Sequence, residues 1–237
     1  MSSNDKKNRR SAAKATSTFR ITESYKILRT NLQFAMSTHQ QKVVLVSSAE
    51  PGVGKSTTTA NLALTTAQKG EKVLLIEADM RKPKQHRLFH ITNEKGLSDM
   101  LGGFAAFEEV AHKEIASHLD LITAGRIPPN PSELLGSQAM HDFLDWAMKE
   151  YDVIFIDTPP INIVADLSVL AAHTGGVLLV ARYKSTSYLE LEAARENIKK
   201  VGGTIFGVVI NGVYEPNGMY GYNYKKYYSY NYKYAEK

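Results

Sequence analysis

Between Val43 and Asn61 the chain reads VVLVSSAEPGVGKSTTTAN, and its chemistry begins at Gly52, Gly54, Lys55 and Ser56. The two glycines let a backbone curl close to a ligand with no Cβ in the way. A lysine and a hydroxyl directly after them, at the head of a helix-compatible run, suit a chain of phosphates. Backbone N–H groups of the loop and the helix start would point at the anion, the ammonium would reach the β- and γ-phosphates, and the Ser56 hydroxyl would sit on Mg²⁺. The pattern G-x-x-x-x-G-K-[ST] is met except that Ala49 holds the first glycine position. A glycine-rich turn between a strand and a helix is the structural alternative. The apolar strand in front and the G-K-S-T in phase argue against it.

An ion bridging phosphates needs oxygen ligands, so acids at the same edge of the fold matter next. Glu77 and Asp79 follow the continuously apolar run Val73–Ile76, and Asp157 follows Val153–Ile156. The same signature recurs at Leu119–Thr123, Val177–Val180 and Ile205–Ile210; with Val43–Val46 it makes at least six strands. Strands apolar at every position and separated by helical stretches are buried on both faces, the mark of a parallel sheet. The predicted fold class is therefore α/β, a doubly wound, mostly parallel sheet with ligands at the carboxyl ends of the strands. Lys55, Ser56, Glu77, Asp79 and Asp157 then share one edge. A carboxylate at a strand end can also cap a helix, but three beside one loop fit a metal-nucleotide site better. Asn211-Gly212 ends the last strand at the same edge. Its amide offers donor and acceptor to a purine edge, and a plain turn explains the pair equally well.

The 237 residues suffice for one large α/β domain and not for two. Cysteine is absent, which removes disulfide and thiol chemistry and fits a reducing compartment. No apolar run approaches the roughly 18 residues that span a bilayer, and no apolar signal segment opens the chain, so a cytoplasmic location is expected. The formal net charge of +5 resides in residues 1–20, where Lys6, Lys7, Arg9, Arg10, Lys14 and Arg20 face only Asp5. This basic arm reads as a solvated, flexible segment, or as one drawn to anionic lipid or an acidic partner at about 1 kcal/mol per basic residue. The remainder is neutral, which speaks against a nucleic-acid partner.

Ile21, Tyr25, Leu28, Leu32 and Met36 mark one stripe of an amphipathic helix, with Glu23, Lys26 and Arg29 off it on a face that is solvated or binds a subunit. The helix after the phosphate loop should run to Lys69 and stop at Gly70. Arg126–Leu135 is stiffened by prolines, with Ser132 placed to cap the short helix that follows. From Tyr214 onward the composition changes: Tyr220, Tyr222, Tyr224, Tyr227, Tyr228, Tyr230, Tyr232 and Tyr234 alternate with Gly, Asn, Lys and Ser. Such a segment cannot bury enough apolar surface to fold by itself. It is a sticky low-complexity end, an aromatic arm for stacking on single strands, or a row of phosphate-accepting hydroxyls.

Taken together, SSAEPGVGKST, VLLIEADMRKP, PPNPSELL, VIFIDTPP and the terminal tyrosines resemble the bacterial tyrosine kinases of capsule and exopolysaccharide synthesis. The match is to the separate cytoplasmic kinase subunit of Gram-positive bacteria, within the deviant-Walker class of P-loop NTPases that includes the ParA- and MinD-like proteins. The resemblance covers nearly the whole chain and implies a basic arm over 1–20, a kinase domain over 21–213 and a tyrosine tail over 214–237. It implies ATP and Mg²⁺ as cofactors, held by Gly52, Val53, Gly54, Lys55, Ser56, Thr57 and Asn211, with Ser56, Asp79 and Asp157 serving the metal. Glu77 stands where the family usually has aspartate and would orient or deprotonate the attacking tyrosine. Glu23, Lys26 and Arg29 fall on the family's subunit-assembly motif, Lys26 in place of an arginine. The implied partners are further copies in a ring, a transmembrane adaptor whose cytoplasmic tail activates the kinase at the inner face of the membrane, and a tyrosine phosphatase.

Two other functions compete. A positioning ATPase of the plasmid-partition type would carry a lysine near the start of the loop, where this chain has Glu50. A non-catalytic scaffold would follow if Glu77 disables the chemistry.

Overall fold

The structure, a computed structural model, describes residues 3–163, 170 and 176–213, with side chains from Phe19 onward. Seven strands form the centre: β1 (Val43–Ser48), β2 (Val73–Glu77), β3 (Ala111–Ala116), β4 (Leu119–Ile122), β5 (Val153–Asp157), β6 (Gly176–Arg182) and β7 (Thr204–Asn211). They lie in the order β3-β4-β2-β5-β1-β6-β7, parallel except for the antiparallel β3–β4 hairpin. The six apolar runs read from the sequence all become strands of this sheet. β3 was not among them because AHKEIA is a half-exposed edge strand without an apolar run, joined to β4 by a turn with His118 at positive φ.

The helices are α1 (Ser3–Thr38), α2 (Lys55–Ala67), α3 (Gln85–Leu88), α4 (Leu97–Leu101), α5 (Phe107–Val110), α6 (Pro131–Leu135), α7 (Gln138–Glu150) and α8 (Tyr188–Lys200). Alternate strand residues face opposite layers, which is why each strand must be apolar throughout. Leu74, Ile76, Ile154, Ile156 and Leu179 pack with Phe143 and Leu144 of α7 and Ile198 of α8. Val44, Val46, Leu75, Phe155 and Val180 pack with Leu62 and Ala63 of α2 and Leu32 and Met36 of α1. Leu62 is fully buried, and truncating such a residue to alanine costs about 2–5 kcal/mol.

α1 follows the expected stripe from Tyr25 to Met36, but Ile21 lies beyond the edge of the domain and is 54% exposed. The helix runs without a break past residue 20, where the basic arm was expected to end. Among the described residues no helix is long and apolar enough to cross a membrane.

Parallel register does the positioning. Val46 pairs with Asp157 and Glu77 pairs with Asp157, so the ends of β1, β2 and β5 bring the phosphate loop and the acids to one level. β1 lies where the chain's progress across the sheet reverses, β2 to one side and β6 to the other, which is where ligands bind in open α/β sheets.

Candidate active site

Gly54 caps α2 at φ 97°, a left-handed conformation, and a Cβ there would come 2.1 Å from Asn211 Nδ2. Conformation and space both require glycine. No side chain caps this helix and no acid lies in its first turn. Its first N–H groups therefore keep their capacity for an anion, with the helix dipole behind them. They open on a cleft of about 400 Å³ lined by Gly52, Gly54, Lys55, Ser56, Thr57 and Asp79, with Arg81, Lys82, Lys84 and Arg182 around it. The Val53 side chain, by contrast, is buried in the core beneath the loop.

At the floor of the cleft Lys55 Nζ lies 3.7 Å from Asp79 Oδ2 and 2.6 Å from Oδ1 of Asp157, which lies beneath the lining, and all three side chains are buried. The ammonium thus sits between two carboxylates that would otherwise repel. Asp79 Oδ1 also accepts from Lys82 N at 3.1 Å. Burial raises the Asp79 pKa above the ordinary carboxylate value, and Lys55 offsets this only in part. Asp157 Oδ2 accepts from Gln85 Nε2 at 2.8 Å, and the same amide donates to Ser56 O at 3.1 Å. Gln85 is fully buried. It escaped the sequence reading because K-P-K-Q-H carries no motif, and only the fold of the 81–85 loop brings it under Asp157.

The Glu77 side chain, set by the resemblance beside the attacking tyrosine, is fully buried and, like that of Asp157, lies beneath the cleft rather than in its lining. Oε1 accepts from Lys84 N and from Gln85 N at 2.6 Å, and Oε2 from Ala124 N at 3.4 Å. Burial pushes the Glu77 pKa up to about 7, against the lowering effect of these N–H groups.

Asn211, expected to face a purine, instead donates Nδ2 to Val53 O at 3.0 Å and accepts from Gly212 N on Oδ1 at 2.8 Å, bracing the phosphate loop. Ser132 is not the cap of α6. Asn130 holds that position with Pro131 in the first turn, because proline needs no hydrogen-bond acceptor there. The Ser132 hydroxyl accepts instead from Arg81 Nη2 at 3.4 Å. Of the assembly residues, Glu23 and Lys26 pair with each other at 2.7 Å on the surface, whereas Arg29 Nη1 donates to Thr65 O of α2 at 2.7 Å. The tyrosines from Tyr220 to Tyr234 lie outside the described residues.

Ser56, Asp79 and Asp157 fit a hard cation: they offer oxygen donors only, and Mg²⁺ needs one or two carboxylates when phosphates and waters complete its shell. Among the described residues no three His, Cys, Asp or Glu side chains converge as a preformed metal cage.

A family model described as ParA, NUBPL iron-transfer P-loop NTPase, matches residues 39–219. Iron–sulfur carriers use thiolate ligands, and this chain has no cysteine. The tyrosine-protein kinase YwqD of Bacillus subtilis is 41% identical over 201 residues, covering 84% of this chain and 85% of that protein. A putative tyrosine-protein kinase of Klebsiella pneumoniae is 38% identical over 191 residues, and there the match takes in 81% of this chain but 26% of the relative. The kinase domain of the Escherichia coli tyrosine kinase ETK superposes with a TM-score of 0.79 at 36% identity, over 84% of this chain and 78% of that one. The septum-site protein MinD of Pyrococcus horikoshii shares the fold alone, at 20% identity and a TM-score of 0.61, over 71% and 69% of the two chains. On the ParA-type P-loop fold, with kinase relatives near 40% identity across most of its length, the chain belongs to the bacterial tyrosine-protein kinases.

Proposed function

We propose that this chain is an ATP- and Mg²⁺-dependent autokinase that phosphorylates the tyrosines between Tyr220 and Tyr234 of a neighbouring copy. The reading rests above all on Lys55 held between Asp79 and Asp157 beside an uncapped helix start. In this reading the loop N–H groups and Lys55 bind the β/γ-phosphates, and the Ser56 hydroxyl, Asp79 and Asp157 hold the metal. Mg²⁺ supplies charge neutralisation on the transferred phosphoryl group. The acceptor oxygen forms a bond to γ-phosphorus, the bond from γ-phosphorus to the bridging oxygen breaks, and ADP leaves. The tyrosine hydroxyl, with an ordinary pKa near 10, gives up its proton in the process. In this reading Asp79, the carboxylate that lines the cleft, is engaged with the metal, and the proton passes to solvent at the mouth of the cleft.

Activation by the cytoplasmic tail of a transmembrane adaptor, ring assembly through Glu23, Lys26 and Arg29, reversal by a phosphatase and control of polysaccharide chain length and export complete the proposal. The test is intact mass after incubation with Mg-ATP and an adaptor-derived segment, beside a Lys55→Met control. Successive phosphate additions mapping to Tyr220–Tyr234, absent from the control, are expected; an unchanged mass despite nucleotide binding overturns it.

The competing positioning ATPase needs a residue at position 50 that reaches across a dimer. Glu50 Oε1 accepts from Thr186 Oγ1 at 2.7 Å and Ser185 Oγ at 3.3 Å of its own chain, which disfavours that use. Phosphate release without phosphotyrosine would reinstate it, and neither product would leave a scaffold.

A further inference from the structure

The site contains a polar relay whose inner members touch no ligand space. We propose that Glu77 and Gln85 are positioning residues acting in series on Asp157, with Glu77 anchoring the 84–85 backbone and the Gln85 carboxamide setting the orientation of the Asp157 carboxylate. The proposal rests on the kinase reading only where phosphotransfer is the readout.

Three observations carry it. First, the two oxygens of Asp157 have different partners, Oδ1 with Lys55 at 2.6 Å and Oδ2 with Gln85 at 2.8 Å. A carboxylate fixed at both oxygens cannot turn about its terminal bond, so Oδ1 stays toward Lys55. Second, the Gln85 carboxamide has one workable orientation. Its Nε2 meets two acceptors, Asp157 Oδ2 and Ser56 O, and a flipped amide would set oxygen against both. Its Oε1 is buried with no hydrogen-bond partner among the described residues, so the side chain is held by what it donates. Third, Gln85 reaches this place because its backbone is pinned: Glu77 Oε1 accepts from both Lys84 N and Gln85 N. The fully buried Glu77 offers nothing to the cleft. The relay therefore ties β2, the 81–85 loop, β5 and the first turn of α2 together beneath the phosphate site.

This assignment and a base role for Glu77 make opposite predictions. Glu77→Gln keeps the oxygen that accepts from residues 84 and 85 but cannot take a proton from tyrosine. As a positioning residue it leaves kcat within about tenfold of wild type; removing a general base costs about 10²–10⁴-fold. Glu77→Ala loses the anchor and falls further than Glu77→Gln.

For Gln85 the decisive readout is binding, measured with a fluorescent ADP analogue in EDTA and in Mg²⁺. Gln85→Ala, and Gln85→Met as a buried substitute of similar volume, should bind the nucleotide within about twofold of wild type in EDTA. That result also reports a folded phosphate loop. The gain in affinity on adding Mg²⁺ should shrink at least fivefold, and kcat should fall tenfold or more with the KM for ATP within threefold. Wild-type magnesium dependence in both Gln85 variants overturns the Gln85 step, as does a uniform loss of nucleotide binding in EDTA. A Glu77→Gln enzyme as inactive as Lys55→Met overturns the Glu77 step. If the wild type transfers no phosphate at all, the kinase reading fails while the binding arm still decides the relay. Glu77→Ala, read in the same assay, should lose magnesium dependence as the Gln85 variants do, and a wild-type gain on adding Mg²⁺ overturns the Glu77 step.

Discussion

The two ends of the sheet each hold a buried aspartate with a lysine, and they are put to opposite uses. At the carboxyl end, Lys55 meets Asp157 at 2.6 Å beside an open cleft, with a second acid, Asp79, at 3.7 Å. At the far end, Lys113 meets Asp120 at 2.8 Å, Tyr151 donates its hydroxyl to Asp120 at 2.6 Å, and Glu114 N donates to the other oxygen at 2.8 Å. Phe107, Phe143 and Trp146 pack together beside that group, Trp146 against Tyr151 and Phe107 beneath Lys113. Burial raises Asp120, but the bonds from Lys113 and Tyr151 outweigh it and hold its pKa below the usual value. Burial and Asp120 together push Tyr151 up to about 12. Asp79 goes the other way, raised and incompletely compensated. A polar cluster whose bonds are complete stabilises the fold; one left short of partners is ready for a ligand.

The comparison can be broken by substitution. The largest expected effect is Lys55→Met, which should lower phosphotransfer by more than a hundredfold and weaken nucleotide binding in a titration. Next, Asp120→Asn should lose about 2 kcal/mol of stability in urea unfolding, because buried donors lose a charged acceptor, yet keep kcat within twofold. A kinetic defect there would show that the two ends are not separable.

A smaller effect separates Glu77 by pH. Its folded pKa of about 7 lies above the ordinary value of 4.5, so its contribution to stability is full below about pH 4.5 and is lost as pH rises toward 7. Relative to wild type, Glu77→Gln should gain up to roughly 3 kcal/mol between those limits, read from urea midpoints; parallel profiles would remove Glu77 as the cause. The smallest effect is Lys113→Met. That side chain is 52% exposed, so its ion pair and its place over the Phe107 ring should be worth about 1 kcal/mol or less.

What could be read without coordinates follows from range. The parallel strands and the phosphate loop declare themselves locally, through apolar runs and the order Gly-Lys-Ser after a strand, and Asp79 and Asp157 follow from the rule for strand ends. Residues joined across the chain do not. Gln85 meets Asp157 over a separation of 72 residues with no local signal, and Asn211, marked by its place at a strand end, meets Val53 over 158 with nothing local to name that partner. Glu77 shows the limit of a motif: it gives a residue's place in the chain, while the contacts of the carboxylate with residues 84, 85 and 124 appear only in the fold. β3 and the Asn130 cap of α6 were lost to weaker patterns, an edge strand of mixed polarity and a proline that moved the helix start.

The aromatic cluster at the far end has a spectroscopic consequence. Trp146 is the chain's single tryptophan, 37% exposed and packed edge-on to Phe107 and Tyr151, at the opposite end of the sheet from Lys55. Its emission should track loss of the core and stay nearly silent as nucleotide binds, so one optical signal follows folding while a labelled nucleotide follows the site.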